Sequence, residues 1–274
     1  MENDKRIAVL IDADNVSDKY IKYIFDEISN HGTPTYKRIY ADWTKPQLSS
    51  WKAVLLDYSI SPIQQYSYTT GKNATDAALI IDAMDILYSH NVDGFCIVSS
   101  DSDFTRLASR LREAGMYVVG MGEKKTPSPF IAACEKFKYL EVLAEIPESA
   151  TETTAKKAAG SKEIEKESMA NIKEITKFIQ KIINDISNED GWAHLGEVGN
   201  RLAKRYPDFD ARNYGHSKLS QLIASLNQFE LQRQKPDLNF ILVRNKPAAK
   251  PAAKPAAKHA AKPAARTAKK AKEV

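Results

Sequence analysis

Cysteine is scarce in this chain of 274 residues, with only Cys96 and Cys134 present. Neither has a histidine at zinc-ligand spacing, so both are read as structural thiols, one in a predicted strand and one in a predicted helix. No stretch approaches the roughly 18 consecutive apolar residues that a membrane-spanning helix needs. The opening Met1-Glu-Asn-Asp-Lys5 lacks a signal-peptide pattern. The expectation is a soluble cytoplasmic protein. A glycine-rich turn is also missing after the first apolar run, where Asp12-Ala-Asp-Asn15 stands instead and excludes the dinucleotide-binding fingerprint.

The length predicts two domains, and 43% hydrophobic residues suffice for two cores. The net charge of +5 is unevenly spread. Residues 1–145 carry 16 basic against 20 acidic side chains, residues 146–245 carry 15 against 14, and residues 246–274 carry 9 against 1. The basic excess is therefore a tail, Lys246-Pro-Ala-Ala-Lys250 and its continuation to Lys272, with no large apolar residue before Val274. Such a segment cannot bury a core and is expected to be an extended polycation that attracts phosphate, or else a solubilising tether. Residues 147–163, rich in Ala, Thr, Glu and Lys, read as a linker. The predicted organisation is a domain over 1–146, the linker, a second domain over 164–245 and a disordered basic tail over 246–274.

In the first domain, apolar strand-like runs at Ile7 to Ile11, Thr35 to Ala41, Gly94 to Val98 and Tyr117 to Met121 alternate with helical stretches. The helices are predicted over Val16 to Asn30, Gln47 to Tyr58, Thr75 to Ser89 and Asp103 to Ala114. Alternation of this kind predicts an α/β fold, a doubly wound parallel sheet. In such sheets ligands bind beyond the carboxyl ends of the strands, where strand order reverses. Six aspartates, Asp12, Asp14, Asp76, Asp82, Asp101 and Asp103, lie at or just past the ends of these runs.

Carboxylate and water oxygens are the natural ligands of Mg²⁺ or Mn²⁺, which activate water and stabilise a phosphodiester undergoing in-line cleavage. Each acid also has a plainer use. Asp76 and Asp103 stand at predicted helix starts, where carboxylates cap free N–H groups, and Asp12 and Asp101 follow strands, where turn-forming aspartate is common. Their convergence in one crevice favours the metal. Lys72, before Asp76, and Arg106, one turn beyond Asp103, are candidates for substrate phosphate or simple solvated charges, as are Lys124 and Lys125. His31 and His90 end helices, where they are read as capping carbonyls.

Three blocks, Ile11-Asp12-Ala-Asp-Asn15, Lys72-Asn-Ala-Thr-Asp76 with Asp82 following, and Ser99-Ser-Asp-Ser-Asp-Phe104, resemble the signature of the NYN domain, a PIN-like, LabA-type nuclease fold. The resemblance spans about residues 4 to 145. It implies that Asp12, Asp76, Asp101 and Asp103 are the catalytic, metal-binding acids, that Asn15 and Ser99 support them, and that Mg²⁺ or Mn²⁺ is the cofactor. Asp82 matches a further acidic position, although six residues of helix turn it about 120° away from Asp76. Asp14 is an additional acid, read as a supporting outer-sphere one, whose role the resemblance leaves open.

In the second domain, Ile172, Ile175, Ile179, Ile182 and Ile186 recur at helical spacing. Leu195, Val198 and Leu202 mark a second helix, and Leu219, Leu222, Ile223 and Leu226 a third. Two strands around Lys235-Pro-Asp237 complete a small winged helix-turn-helix. Its Asp190-Gly-Trp-Ala-His194, Tyr206-Pro-Asp-Phe-Asp210 and Tyr214-Gly-His-Ser-Lys-Leu219 resemble the LOTUS or OST-type helix-turn-helix domain, associated with RNA binding and protein docking. Trp192, Phe209, Tyr214 and Leu219 are assigned to the core. Lys204, Arg205, Arg212, His216 and Lys218 are the candidate phosphate contacts.

These features predict a metal-dependent ribonuclease that holds RNA with its second domain and tail, with DNA as an alternative substrate. A protein partner could dock on the winged helix, and no membrane is involved. A non-catalytic RNA-binding adaptor is the rival reading, and a small-molecule phosphatase a third.

Overall fold

A computed structural model describes residues 4–66, 74–145, 161–233 and 240–246. The first unit opens with β1 (Arg6–Asp12), a 3₁₀ turn at Asp18–Tyr20, α1 (Ile21–Ile28) and β2 (Thr33–Ala41). A second 3₁₀ turn at Pro46–Leu48 leads into α2 (Trp51–Asp57), β3 (Ser61–Gln64), α3 (Ala74–Ser89) and β4 (Gly94–Val98). A third turn at Ser102–Phe104 precedes α4 (Thr105–Glu113), followed by β5 (Tyr117–Gly122), α5 (Ser128–Ala133), β6 (Lys136–Tyr139) and α6 (Leu140–Ala144).

All neighbouring strands of this unit pair in parallel, in the order β3-β2-β1-β4-β5-β6. Chain order reverses between β1 and β4, so the crevice for a ligand lies past Asp12 and Val98. Both faces are covered, which is why β1 and β4 read as unbroken apolar runs. The two-residue side-chain period sorts them. Ile7, Val9, Ile11, Cys96 and Val98 pack with α1 residues Ile21, Ile24 and Ile28 and with Leu140 and Leu143 of α6. Ala8, Leu10, Phe95 and Ile97 face α3 through Leu79, Ala83, Ile86 and Leu87, and α4 and α5 through Leu107, Leu111 and Phe130. Each fully buried Ile or Leu contributes about 1.5–3 kcal/mol, so the central strands are the most firmly held part of the domain.

Strands β3 and β6 are additions to the sequence reading. Both are four-residue sheet edges with little apolar pattern: Ser61–Gln64 is mostly exposed, and Lys136–Tyr139 buries fully only Phe137. Cys96 and Cys134 are free and buried, as anticipated, and burial raises both thiols, Cys134 to about 12.

The second unit comprises α7 (Ser161–Ile186), β7 (Ala193–His194), α8 (Leu195–Arg205), a 3₁₀ turn at Ala211–Tyr214, α9 (Leu219–Ser225), β8 (Phe229–Arg233) and β9 (Ile241–Asn245). Its antiparallel sheet runs β7-β9-β8, and Ile175, Ile179, Ile182, Val198, Leu202, Ile223, Phe229 and Val243 form the core. This is the expected winged helix. The turn at Lys235-Pro-Asp237 and nearly all of the basic tail lie outside the described residues. Trp192 corrects the sequence reading: it stands half-buried beside the core, with the Arg244 guanidinium 4.6 Å above its ring. Cation–π stacking uses the indole face that a core position would bury.

The two units touch. Phe137, on the free edge of β6, donates its backbone N–H to Pro207 O at 2.8 Å, and Tyr139 donates its hydroxyl to Asp208 at 3.0 Å. Beside these bonds lies an ionic cluster. Arg212 grips Asp210 through Nε at 2.9 Å and Nη2 at 2.6 Å, and reaches Glu27 of α1 at 3.3 Å. Lys138 sits 2.5 Å from Asp210 and 3.5 Å from Glu27.

Candidate functional site

Asp12 ends β1 with no exposed surface. Its Oδ1 accepts the Asp14 N–H at 3.1 Å, and its Oδ2 accepts the Asn15 amide at 2.7 Å and the Ser99 hydroxyl at 2.8 Å. Burial raises its carboxyl; the bonds from Asn15 and Ser99 pull the other way and the Asp14 charge adds to the rise, leaving it above the ordinary value. Ser99 also accepts the Asp101 N–H at 3.1 Å, tying the loop after β4 to the end of β1. That loop comes close because of Gly122: a Cβ there would fall 2.6 Å from the Ser99 carbonyl oxygen. Asp101 then caps the following 3₁₀ turn, accepting the Asp103 N–H at 2.9 Å. The turn-forming role and the place in the crevice thus belong to the same residue.

Asp76 comes from the first turn of α3, across the crevice. Carboxylate oxygens of Asp76, Asp101 and Asp103 all lie within 4.8 Å of one another. The Asp76 carboxyl is pushed up to about 6, first by burial and then by the charges of Asp12, Asp101, Asp103 and Asp14. An oxygen-only donor set of this kind, whose members repel one another, suits a hard divalent cation. Asp12 stands outside the converging trio, within electrostatic reach of Asp76, and its three hydrogen bonds hold the two strand-end loops.

Asp82 is the main correction. Its carboxylate accepts hydrogen bonds from Arg38 and from the Tyr40 hydroxyl, both on β2, and it is not part of the trio. The helical rotation that separates it from Asp76 carries it to the sheet face instead. Asp14, of open role in the sequence, pairs with Lys45 at 3.0 Å and accepts the Thr75 hydroxyl at 3.2 Å.

Lys72 lies outside the described residues. Arg106 is 85% exposed and reaches Glu113 only at 4.0 Å. Lys125 pairs with Glu123 at 2.8 Å, while the Lys124 backbone N–H donates to Glu141. His31 caps no carbonyl with its ring: Nδ1 is 3.0 Å from the Tyr117 hydroxyl and Nε2 3.4 Å from Glu27. In the second unit Lys204, Arg205 and Lys218 are exposed, and His216 bonds Ser225 at 3.1 Å. Arg212 is committed to the ionic cluster between the units, which removes it from the set of free phosphate contacts.

Sequence reasoning missed Asp42, a buried acid directly after β2, although it follows an apolar run just as Asp12 does. It also missed Lys45 and Glu27, whose roles depend on partners distant in sequence.

The structure is thus a parallel α/β domain with aspartates at its switch point, followed by a winged helix-turn-helix unit. Residues 6–141 match the NYN domain and residues 170–239 the OST-HTH/LOTUS domain, so the chain carries both. NYN domains are generally nuclease-like and OST-HTH/LOTUS domains bind RNA. Among solved structures, a protein of unknown function from Vibrio parahaemolyticus RIMD 2210633 is 19% identical, with a TM-score of 0.42, covering 50% of this chain and 93% of that one. No curated protein matches. Among the described residues no helix is long and apolar enough to cross a membrane.

Proposed function

We propose that the protein is a Mg²⁺- or Mn²⁺-dependent endoribonuclease. The observation that carries this reading is the convergence of Asp76, Asp101 and Asp103 at the switch point of an NYN fold, with Asp76 raised by burial and by its acidic neighbours. Asp76, Asp101 and Asp103 would hold the ion. When bound, it supplies a polarised scissile phosphate and a more acidic water. The residues of the chain supply rigidity. Asp12, locked by Asn15 and Ser99, sets the position of the Asp101 loop, and the capping bond to the Asp103 N–H orients the Asp101 carboxylate before any ligand arrives. RNA as substrate is supported by the OST-HTH/LOTUS domain, a type of domain that binds RNA. Exposed Lys204, Arg205 and Lys218 and the Lys-rich tail add sequence-blind attraction for its backbone. Two free, buried cysteines fit a reducing compartment such as the cytoplasm.

The test incubates the full chain with end-labelled single-stranded RNA, structured RNA and single-stranded DNA, in Mn²⁺, Mg²⁺ or EDTA, beside Asp76→Asn/Asp101→Asn. Cleavage that needs both the ion and the two aspartates supports the nuclease and defines its substrate. Retained RNA binding without cleavage in every condition replaces it with the adaptor reading.

A further inference from the structure

Lys45 is a lone lysine in a loop, yet the fold delivers it to the rim of the acidic crevice. The loop leaves the carboxyl end of β2, on the same side of the sheet as Asp12 and Asp101. It is built by bonds independent of Lys45's own charge. Buried Asp42 accepts the Thr44 hydroxyl at 2.6 Å, the Thr44 N–H at 3.3 Å and the Gln64 amide at 3.1 Å. Trp43 donates its N–H to the Gln64 side chain and its indole N–H to Ile63 O, each at 3.0 Å. The Lys45 N–H closes the turn on Asp42 O at 3.0 Å, and Pro46 starts the next turn with its φ already set.

From that anchor the Lys45 ammonium reaches Asp14 at 3.0 Å, and Asp14 in turn holds Thr75, the neighbour of Asp76. The pair is about one-third exposed on both sides, so it contributes little to stability and is readily exchanged. An ammonium has three donors, and Asp14 takes one.

We propose that Lys45 is a substrate-binding residue that contacts a backbone phosphate of single-stranded RNA beside the acidic trio, leaving Asp14 for the phosphate as the strand enters. A polyanion approaching Asp12, Asp14, Asp76, Asp101 and Asp103 meets repulsion, and a cation on a preformed loop offsets it at the point of need. This deepens the nuclease reading and rests on it for the identity of the strand; the contact itself is measurable without turnover.

The experiment measures binding of a short fluorescein-labelled RNA to the full chain by anisotropy across a salt series in Ca²⁺, together with steady-state cleavage in Mn²⁺. Lys45→Ala and Lys45→Gln should weaken binding roughly three- to tenfold. Either change should also reduce the slope of log affinity against log salt by about 0.7, the loss of one single-strand phosphate contact. Cleavage should show this as a raised KM with kcat nearly kept, and Lys45→Arg should restore both. Asp14→Asn should tighten binding in the native background and less so with Lys45→Ala. Unchanged affinity and slope in Lys45→Ala and Lys45→Gln would overturn the proposal, whatever happens to cleavage. If the native chain never cleaves but the Lys45 effects persist, the phosphate contact stands and the nuclease reading falls.

Discussion

Asp82 and Ser99 show how differently two polar residues of one domain are employed. Asp82 satisfies the Arg38 guanidinium and the hydroxyl of buried Tyr40, whose ionisation is pushed far up by burial and then by Asp82 itself. Asp82→Ala should therefore cost about 1–3 kcal/mol of stability in urea denaturation, because Arg38 and Tyr40 lose their acceptor. Divalent-ion binding, followed by calorimetry, should persist in this variant. Loss of ion binding with native stability would return Asp82 to the metal site. Ser99 is fully buried between Asp12 and the Asp101 N–H, so Ser99→Ala should destabilise by a similar amount, about 1–3 kcal/mol, and also weaken ion binding through the loosened Asp101 loop.

Among the elements, β4 and β5 place the site as much as they build the core. Gly122 ends β5, where a Cβ would meet Thr126 Oγ1 at 2.5 Å and Ser99 O at 2.6 Å. The Ser99 carbonyl belongs to a backbone already held by its N–H bond to Met121 O at 2.9 Å, so it has little room to yield. Gly122→Ala should destabilise by about 1–3 kcal/mol and displace the Asp101 loop, lowering cleavage more than RNA affinity. Denaturation and cleavage assays on one preparation check both halves of that outcome. α3 contributes differently: its apolar face of Leu79, Ala83 and Ile86 fixes its rotation, and that rotation decides that Asp76 faces the crevice while Asp82 faces β2.

For the whole molecule, the cluster of Glu27, Lys138, Asp210 and Arg212 joins charged groups of both domains. Burial works upward on Asp210, but the Arg212 hydrogen bonds and the Lys138 charge outweigh it, so its carboxyl lies well below the usual range. Glu27 is likewise lowered, burial being outweighed by the nearby His31 ring and the charges of Lys138 and Arg212. Groups with depressed folded values contribute stability that is complete above their ordinary value of about 4 and is lost as pH falls through the folded value. Docking should accordingly weaken below about pH 4, and the stability difference between the native chain and Asp210→Asn should shrink there. Arg212→Ala leaves Asp210 with Lys138, which it shares with Glu27, and leaves Glu27 with Lys138 and His31, at a cost on the order of 3 kcal/mol. The direct readout is the Phe137 amide, bonded to Pro207 O: its hydrogen-exchange protection should fall in Arg212→Ala while that of Val9 in β1 stays. Equal protection of Phe137 in both proteins would remove the cluster from any role in docking.

The central strands with their covering helices and the acids beside them were determined by the sequence itself, since a doubly covered strand must be continuously apolar and a parallel sheet must expose its strand ends together. Six aspartates near the ends of those apolar runs were legible on that ground, and the family resemblance singled out Asp12, Asp76, Asp101 and Asp103 among them. The two domain types were carried by motif resemblance. Only the tertiary structure decided which acids converge. Asp76, Asp101 and Asp103 meet, Asp12 holds the Asp101 loop through Ser99, and Asp82 is rotated onto Arg38 and Tyr40. It likewise turned Arg212 from a presumed RNA contact into a bridge to Glu27, 185 residues away, and raised Lys45 from a loop charge to the partner of Asp14. Short edge strands such as β3 and β6 escaped notice because a four-residue edge carries almost no apolar period. The division has one physical cause: burial and periodicity are local and written along the chain, whereas the partner of a charge is whichever opposite group the finished packing brings within a few ångströms.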